Sequence, residues 1–280
     1  MWIALVLCAA SILAYGWHTP RSTPNGGTWL GYTLGTVGAV LIFWLTALGV
    51  RKRSYKSRLG TVQGWVSAHV YLGLALIVVV TLHTGFQFGW NIHTVAYGLM
   101  MLVIVSGLVG INAYLRLPKE MSQNRAGLTR DEMLSEIADL DQRCAKLADR
   151  LSTTFRDAAL SNRDRTRIGG TAWSVLTARD RSQVLLPATA GTTVLYANPD
   201  QSRMLEWLGG ELARSDDGDR TRTIGEMISL VSARRVALKR LRRDAQIRGW
   251  LDVWLYVHVP LSIGLLGALI AHVVSVFAYW

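Results

Sequence analysis

Residues 60–86 read GTVQGWVSAHVYLGLALIVVVTLHTGF. The stretch lies in a region with no Asp, Glu, Lys or Arg between Arg58 and Arg116, and it is longer than the roughly 20 residues a helix needs to cross a bilayer. Two histidines, His69 and His83, are set into it. The end of the chain repeats the arrangement: residues 249–280, GWLDVWLYVHVPLSIGLLGALIAHVVSVFAYW, carry His258 and His272. Each pair is separated by 14 positions (69 to 83, 258 to 272). At 1.5 Å per residue this is about 21 Å, close to four turns, so both rings of a pair project from nearly one face at two depths. In a left-handed bundle with a 3.5-residue repeat, 14 positions are two heptads and the faces align more closely still.

Working outward, residues 28–50 and 93–115 form two further apolar runs of spanning length, and residues 2–17 a shorter one. The short run has the length of a signal-peptide core. It lacks a basic n-region, and no small-x-small cleavage site precedes His18, so it is read as a retained anchor helix, with a signal-like segment as the alternative. Half of the 280 residues are hydrophobic and 11 are Trp, which sets the chain apart from soluble globular proteins. Trp90, Tyr279 and Trp280 are read as an aromatic belt at the membrane surface.

The 30 Lys and Arg against 19 Asp and Glu would suggest nucleic acid in a soluble protein, but the charges are segregated. No acidic residue precedes Glu120 and none follows Asp252. The connector with Arg51, Lys52, Arg53, Lys56 and Arg58 is densely positive, 87–92 is uncharged, and 18–27 has only Arg21. With five spans, the positive-inside rule puts the N-terminus, 51–59 and 116–248 inside and the C-terminus outside, leaving 29 of the 30 basic residues on the inner face. No nucleic-acid partner is expected; the lipid bilayer is, and the inferred location is a bacterial cytoplasmic membrane. Cys8 and Cys144 are the only cysteines, which excludes a disulfide framework, an iron–sulfur site and a CxxCH haem attachment.

Residues 116–248 are long enough for a small soluble domain. Thr129 with Glu132 forms a capping box before an amphipathic series through Leu134, Ile137, Leu140 and Leu147. Thr223 with Glu226 suggests a second helix start, running through the basic cluster Arg234–Arg243 towards the last span, with a break at Gly249 in view. Val184–Leu186 and Thr192–Tyr196, around Pro187 and Gly191, read as a β-hairpin. The basic cluster is read as positive-inside charge meeting anionic lipid. The fold class is therefore an all-α integral membrane protein: an N-terminal anchor over 1–17, three bundle helices over 28–115, a mainly helical cytoplasmic insertion over 116–248, and the last bundle helix over 249–280.

If the spans bearing the histidines run the same way, their depths match: His69 is 11 residues beyond Arg58 and His258 is 10 beyond Arg248. His69 then pairs with His258 on the inner side and His83 with His272 on the outer side. One intramembrane histidine is most simply a hydrogen-bonded ring, but two identical spacings at matched depths point to ligands. Two axial imidazoles saturate a haem iron and give a six-coordinate electron-transfer centre, whereas a bare Zn²⁺ site takes three or four protein ligands. Gly35 and Gly49, again 14 apart, and Gly110 are small residues expected to lie against the two macrocycles, with plain helix packing as the alternative. His18 and His93 fall at the outer boundary. His93 is read as an interfacial histidine, with a contact to a quinone or to a haem propionate as the alternative.

His-x13-His on two alternate helices of a four-helix core resembles the di-haem cytochrome b bundle of respiratory cytochrome b and of the ferric reductase and NADPH oxidase membrane domain, over about residues 28–115 and 249–280. The resemblance implies that His69, His83, His258 and His272 are axial ligands of two haems b and that Gly35, Gly49 and Gly110 face them. The chain lacks the PEWY quinol-site motif of respiratory cytochrome b and the flavin and nicotinamide domain of the oxidases, and an insertion like 116–248 is typical of neither family. The function expected is transmembrane electron transfer by a subunit of a membrane oxidoreductase complex, linked to the quinone pool and to a redox partner protein: a cytochrome, an iron–sulfur protein or a flavoprotein. The rivals are a reductase subunit fed by a cytoplasmic flavoprotein, a histidine-relay metal transporter, and a haem-free signalling protein.

Overall fold

The computed structural model describes residues 1–18, 25–53, 60–188 and 192–278; Arg21, Lys56, Arg58, Gly191, Tyr279 and Trp280 lie outside them. The chain is 81% helical. It divides into two compact units, Met1–Asn112 with Trp254–Trp280, and Ala113–Val253.

The first unit contains α1 (Trp2–Trp17), α2 (Trp29–Arg53), α3 (Val62–Thr84), the first part of α4 (Ile92–Arg125) and the last part of α9 (Gly218–Ala278). Sequence chemistry sets the ends of these helices. Asn25 folds an Asx turn by accepting from the Gly27 amide (2.9 Å) ahead of α2. The Thr61 hydroxyl accepts from the Gly64 amide (3.1 Å) as the N-cap of α3, and Gly85, with φ of 59°, ends that helix. Asn91 accepts from the Thr94 amide (3.0 Å) at the head of α4.

By length and composition, four helical stretches are able to cross a membrane, with mean hydropathy of 1.9 in α2, 2.1 in α3, and 2.2 in the stretches containing α4 and α9. The chain is thus built as a multi-pass membrane protein. At 16 residues, α1 is about 24 Å long, short of the roughly 30 Å hydrocarbon core. Ile42, Leu45, Leu76, Met100 and Leu265 form a shared core of α2, α3, α4 and α9, while Leu7 and Tyr15 of α1 pack on Leu30, Leu34 and Val79. The opposite faces are apolar too: Val40 is 63% exposed, Phe43 64% and Ile263 64%. Helices apolar all round suit hydrocarbon rather than water.

In the second unit, a few residues longer at each end than 116–248, α5 (Arg130–Leu151), α6 (Thr153–Asp164), the short α7 (Ala172–Leu176) and α8 (Ser202–Ala213) accompany the end of α4 and the first part of α9. The Thr129 capping box forms as read, with Thr129 N–H donating to Glu132 Oε2 (2.6 Å) and Glu132 N–H to Thr129 Oγ1 (3.2 Å). The hydrogen bond from the Thr129 amide holds the Glu132 carboxyl below its usual range. The hairpin pairs β1 (Gln183–Pro187) with β2 (Thr193–Ala197), antiparallel, with Leu185 opposite Leu195. Met133, Ile137, Leu140, Leu238 and Leu241 make one core, and Phe155, Val184, Met204, Leu208 and Met227 belong to a second.

Three expectations are corrected here. Thr223 does not open a helix: α9 begins at Gly218, and the Thr223 hydroxyl donates to the Asp219 carbonyl (2.9 Å) inside it. The helix also runs through Gly249 without a break. The basic cluster is only partly a lipid-facing surface. Arg234 and Arg242, eight positions apart and so on one helix face, are buried; Arg234 Nε meets Asp141 at 2.5 Å and Arg242 meets Asp180 at 2.7 Å. Arg234 also donates to Gln201 (2.8 Å) and Thr166 (3.1 Å). Burial raises the Asp141 carboxyl above its ordinary value despite Arg234, and pushes the nearby Cys144 thiol up to about 11.

Candidate functional site

The four spanning histidines share one hydrogen-bonding plan. On α3, His69 Nδ1 lies 3.0 Å from the Leu45 carbonyl and His83 Nδ1 lies 2.7 Å from the Gly31 carbonyl. A carbonyl only accepts, so Nδ1 carries the proton in both rings and Nε2 keeps its lone pair. On α9, His258 Nδ1 is 2.7 Å from Ser106 Oγ, whose own proton goes to the Val103 carbonyl (2.9 Å). Ser106 must therefore accept, and His258 is the same tautomer. His272 Nδ1 makes a close contact with Nδ1 of His93. Among the described residues no Nε2 of these four has a hydrogen-bond partner. An Nδ1–H tied to a fixed acceptor, with Nε2 left free, is the arrangement that orients a metal-ligating imidazole and raises its basicity.

The acceptors follow a simple geometry. Gly31 and Leu45 are 14 positions apart on α2, matching the spacing of His83 and His69 on the antiparallel α3. His93 and Ser106 stand in the corresponding relation on α4 to His272 and His258 on α9. Each histidine helix thus has a neighbour that orients its rings at two levels.

The cross-helix relation is closest at one level. The rings of His83 and His272 lie with centroids 6.0 Å apart and planes at 85°, and His93 sits edge-on to His272 at 4.5 Å. Around them is a cavity of about 1430 Å³, lined also by His18, Gly35, Tyr97, Met100 and Leu269. At the other level each ring has its own anchor, His69 at the Leu45 carbonyl and His258 at Ser106. Trp254 stacks on His258 (5.3 Å, 24°) and donates from Nε1 to the Ser106 carbonyl (2.8 Å), so one residue of α4 anchors both rings.

The glycines take different places. A Cβ at Gly35, one turn past Gly31, would come within 2.6 Å of His83 Cε1, so a side chain there would crowd the ring off the Gly31 carbonyl. Gly49 stands in the same relation to Leu45, but a Cβ there would meet nothing within 4 Å among the described residues. Gly110 lies against the Trp254 indole, where a Cβ would overlap the ring, and a Cβ at Gly107 would stand 3.5 Å from His258 Cε1. Sequence reasoning missed Ser106 and Trp254. Trp254 had one usable signal, its position one turn before His258.

Among the described residues, no three His, Cys, Asp or Glu side chains converge as a site for a bare metal ion. No protein-family model, curated protein or solved structure matches this chain.

Proposed function

We propose that the chain is a membrane electron-transfer subunit that holds two b-type haems, one between His83 and His272 and one between His69 and His258. The observation that carries this is the shared state of the four histidines, each with Nδ1 engaged and Nε2 free. The dimensions fit. Two imidazoles bound end-on to one metal at about 2 Å per bond have centroids about 6 Å apart, against 6.0 Å for His83 and His272. The surrounding cavity exceeds the roughly 300–1,000 Å³ of ordinary ligand pockets. Among the described residues no three metal-ligating side chains converge, so ligation between two facing imidazoles suits the site better than the three or four ligands of a bare ion, which disfavours the metal-transporter reading.

Haem held between these imidazoles would supply one-electron chemistry. The protein supplies the rest. Gly31, Leu45 and Ser106 hold three rings in one tautomer, Gly35 leaves room for His83, and Trp254 fixes the plane of His258. The apolar core around Met100 and Leu265 gives the bundle a low-dielectric interior. In the topology proposed, α1 is a fifth span, the basic connector and Ala113–Val253 face the cytoplasm, and the His83 level is the outer one. Electrons would pass between the quinone pool and a redox partner protein.

The test is a reduced-minus-oxidised spectrum and a haem assay on purified full-length protein. The expected result is two non-covalent haems per chain, released by acid acetone, with the sharp bands of bis-histidine coordination. A monodisperse, folded protein without haem would overturn the proposal.

A further inference from the structure

The cavity beside His83 and His272 has an unusual lining: among its described residues there is no Lys, Arg, Asp or Glu. Its hydroxyl groups are largely committed. Thr28, Thr36 and Thr84 each donate to a main-chain carbonyl of their own helix or turn, at 3.0, 2.9 and 2.8 Å. His93 is engaged with His272. His18, which ends α1 and packs edge-on against Trp29 (5.3 Å, 87°), differs: its Nε2 is buried and has no hydrogen-bond partner among the described residues. A buried ring nitrogen left without a partner is costly, and native structures rarely keep one unless something absent from the protein itself completes it.

We infer that His18 Nε2–H is the donor that receives a carboxylate of the molecule occupying this cavity, and, resting on the haem reading above, that this carboxylate is a propionate of the outer haem. A carboxylate entering a lining whose described residues include no fixed cation needs a directed N–H donor, and a charge-assisted hydrogen bond is the strongest that those residues offer. Among the described residues of this lining, His18 is the one whose buried side-chain nitrogen has no partner in the protein. The inference gives α1 a role beyond anchoring: its last turn closes the polar end of the cavity.

The experiment compares two porphyrins in full-length protein made in haem-deficient cells. Haem b and its dimethyl ester, which lacks both carboxylates, are titrated into wild-type protein, His18→Phe and His18→Gln, and binding is read from the Soret band. His18→Phe keeps a ring against Trp29 and removes the donor; His18→Gln restores an N–H. Wild type is expected to bind the free acid at least about tenfold more tightly than the ester. His18→Phe should lose that preference at the affected site, and His18→Gln should recover part of it. Equal binding of acid and ester by wild type, or an undiminished preference in His18→Phe, would overturn the inference while leaving the haem reading intact. If wild type gave no six-coordinate spectrum with either porphyrin, the haem reading itself would fall.

Discussion

The relation of Gly35 to His83 makes a prediction whose size follows from the geometry. A methyl group at Gly35 would stand 2.6 Å from His83 Cε1 and 2.8 Å from Nδ1. Carbon atoms settle at about 3.5–4.0 Å, so in Gly35→Ala the ring must retreat by about 1 Å. The Nδ1–H bond to Gly31, now 2.7 Å, then stretches beyond the roughly 3.2 Å limit of a hydrogen bond. Overpacking of this kind costs about 1–3 kcal/mol, set directly against one of the imidazoles proposed to hold the outer haem. Gly49→Ala, on the same helix 14 positions on, should change stability by no more than about 1 kcal/mol and leave the spectrum alone, because a Cβ there meets nothing within 4 Å. The assay is carbon monoxide binding to the reduced full-length protein, which reports an iron with an open position. Gly35→Ala should bind the gas at one haem per chain and Gly49→Ala at none. If Gly35→Ala stays inert, or the two substitutions behave alike, the account of how α2 supports α3 is wrong.

Three further outcomes are expected. His83→Ala and His272→Ala should lose the same haem, and His69→Ala and His258→Ala the other, as read by spectra and redox titration of monodisperse protein; crossed pairing, His69 with His272, would refute the arrangement by level. Arg234→Met leaves Asp141 beside an apolar side chain and should cost about 3–5 kcal/mol, measured as increased protease sensitivity of residues 113–253 in urea, with Asp141→Leu in the same chain restoring most of it. Cys144, buried and with its thiol pushed up to about 11, stays neutral at pH 8.5 and should resist iodoacetamide in the folded chain. Since its pKa is raised on folding, its contribution to stability is present below about pH 8.5 and lost as the pH rises towards 11. Rapid native labelling of Cys144 at pH 8.5 would contradict that burial.

The apolar runs and the two 14-residue spacings were legible in the sequence because both are periodic properties of side chains. The Thr129 capping box and the hairpin around Pro187 were legible for a related reason: each depends on residues adjacent in the chain. What orients the histidines was not legible. The partners of His69 and His83 are the carbonyls of Leu45 and Gly31, groups every residue possesses, so no residue type marks them. Thr223 and Glu226 have the spacing of a helix start, but the helix had already begun at Gly218. In the cluster Arg234–Arg243, six of the ten residues are basic, and only the tertiary positions of Asp141 and Asp180 distinguish the buried Arg234 and Arg242 from their exposed neighbours. Pro118 is similar: α4 continues past it to Arg125, where Arg125 meets the buried Asp244 at 2.6 Å.

That α2 orients two rings through main-chain oxygens determines which kinds of sequence change the bundle tolerates. No side-chain replacement at Leu45 or Gly31 deletes an acceptor, so point substitutions there act only through packing. A change in length is different. One residue inserted between positions 31 and 45 turns everything beyond it by about 100° and lengthens the helix by about 1.5 Å, so one carbonyl must leave its ring whichever end stays in place. The stretch from Gly31 to Leu45 therefore works as a ruler: apart from close-packed glycines such as Gly31 and Gly35, its side chains are free to drift, but its number of residues is not.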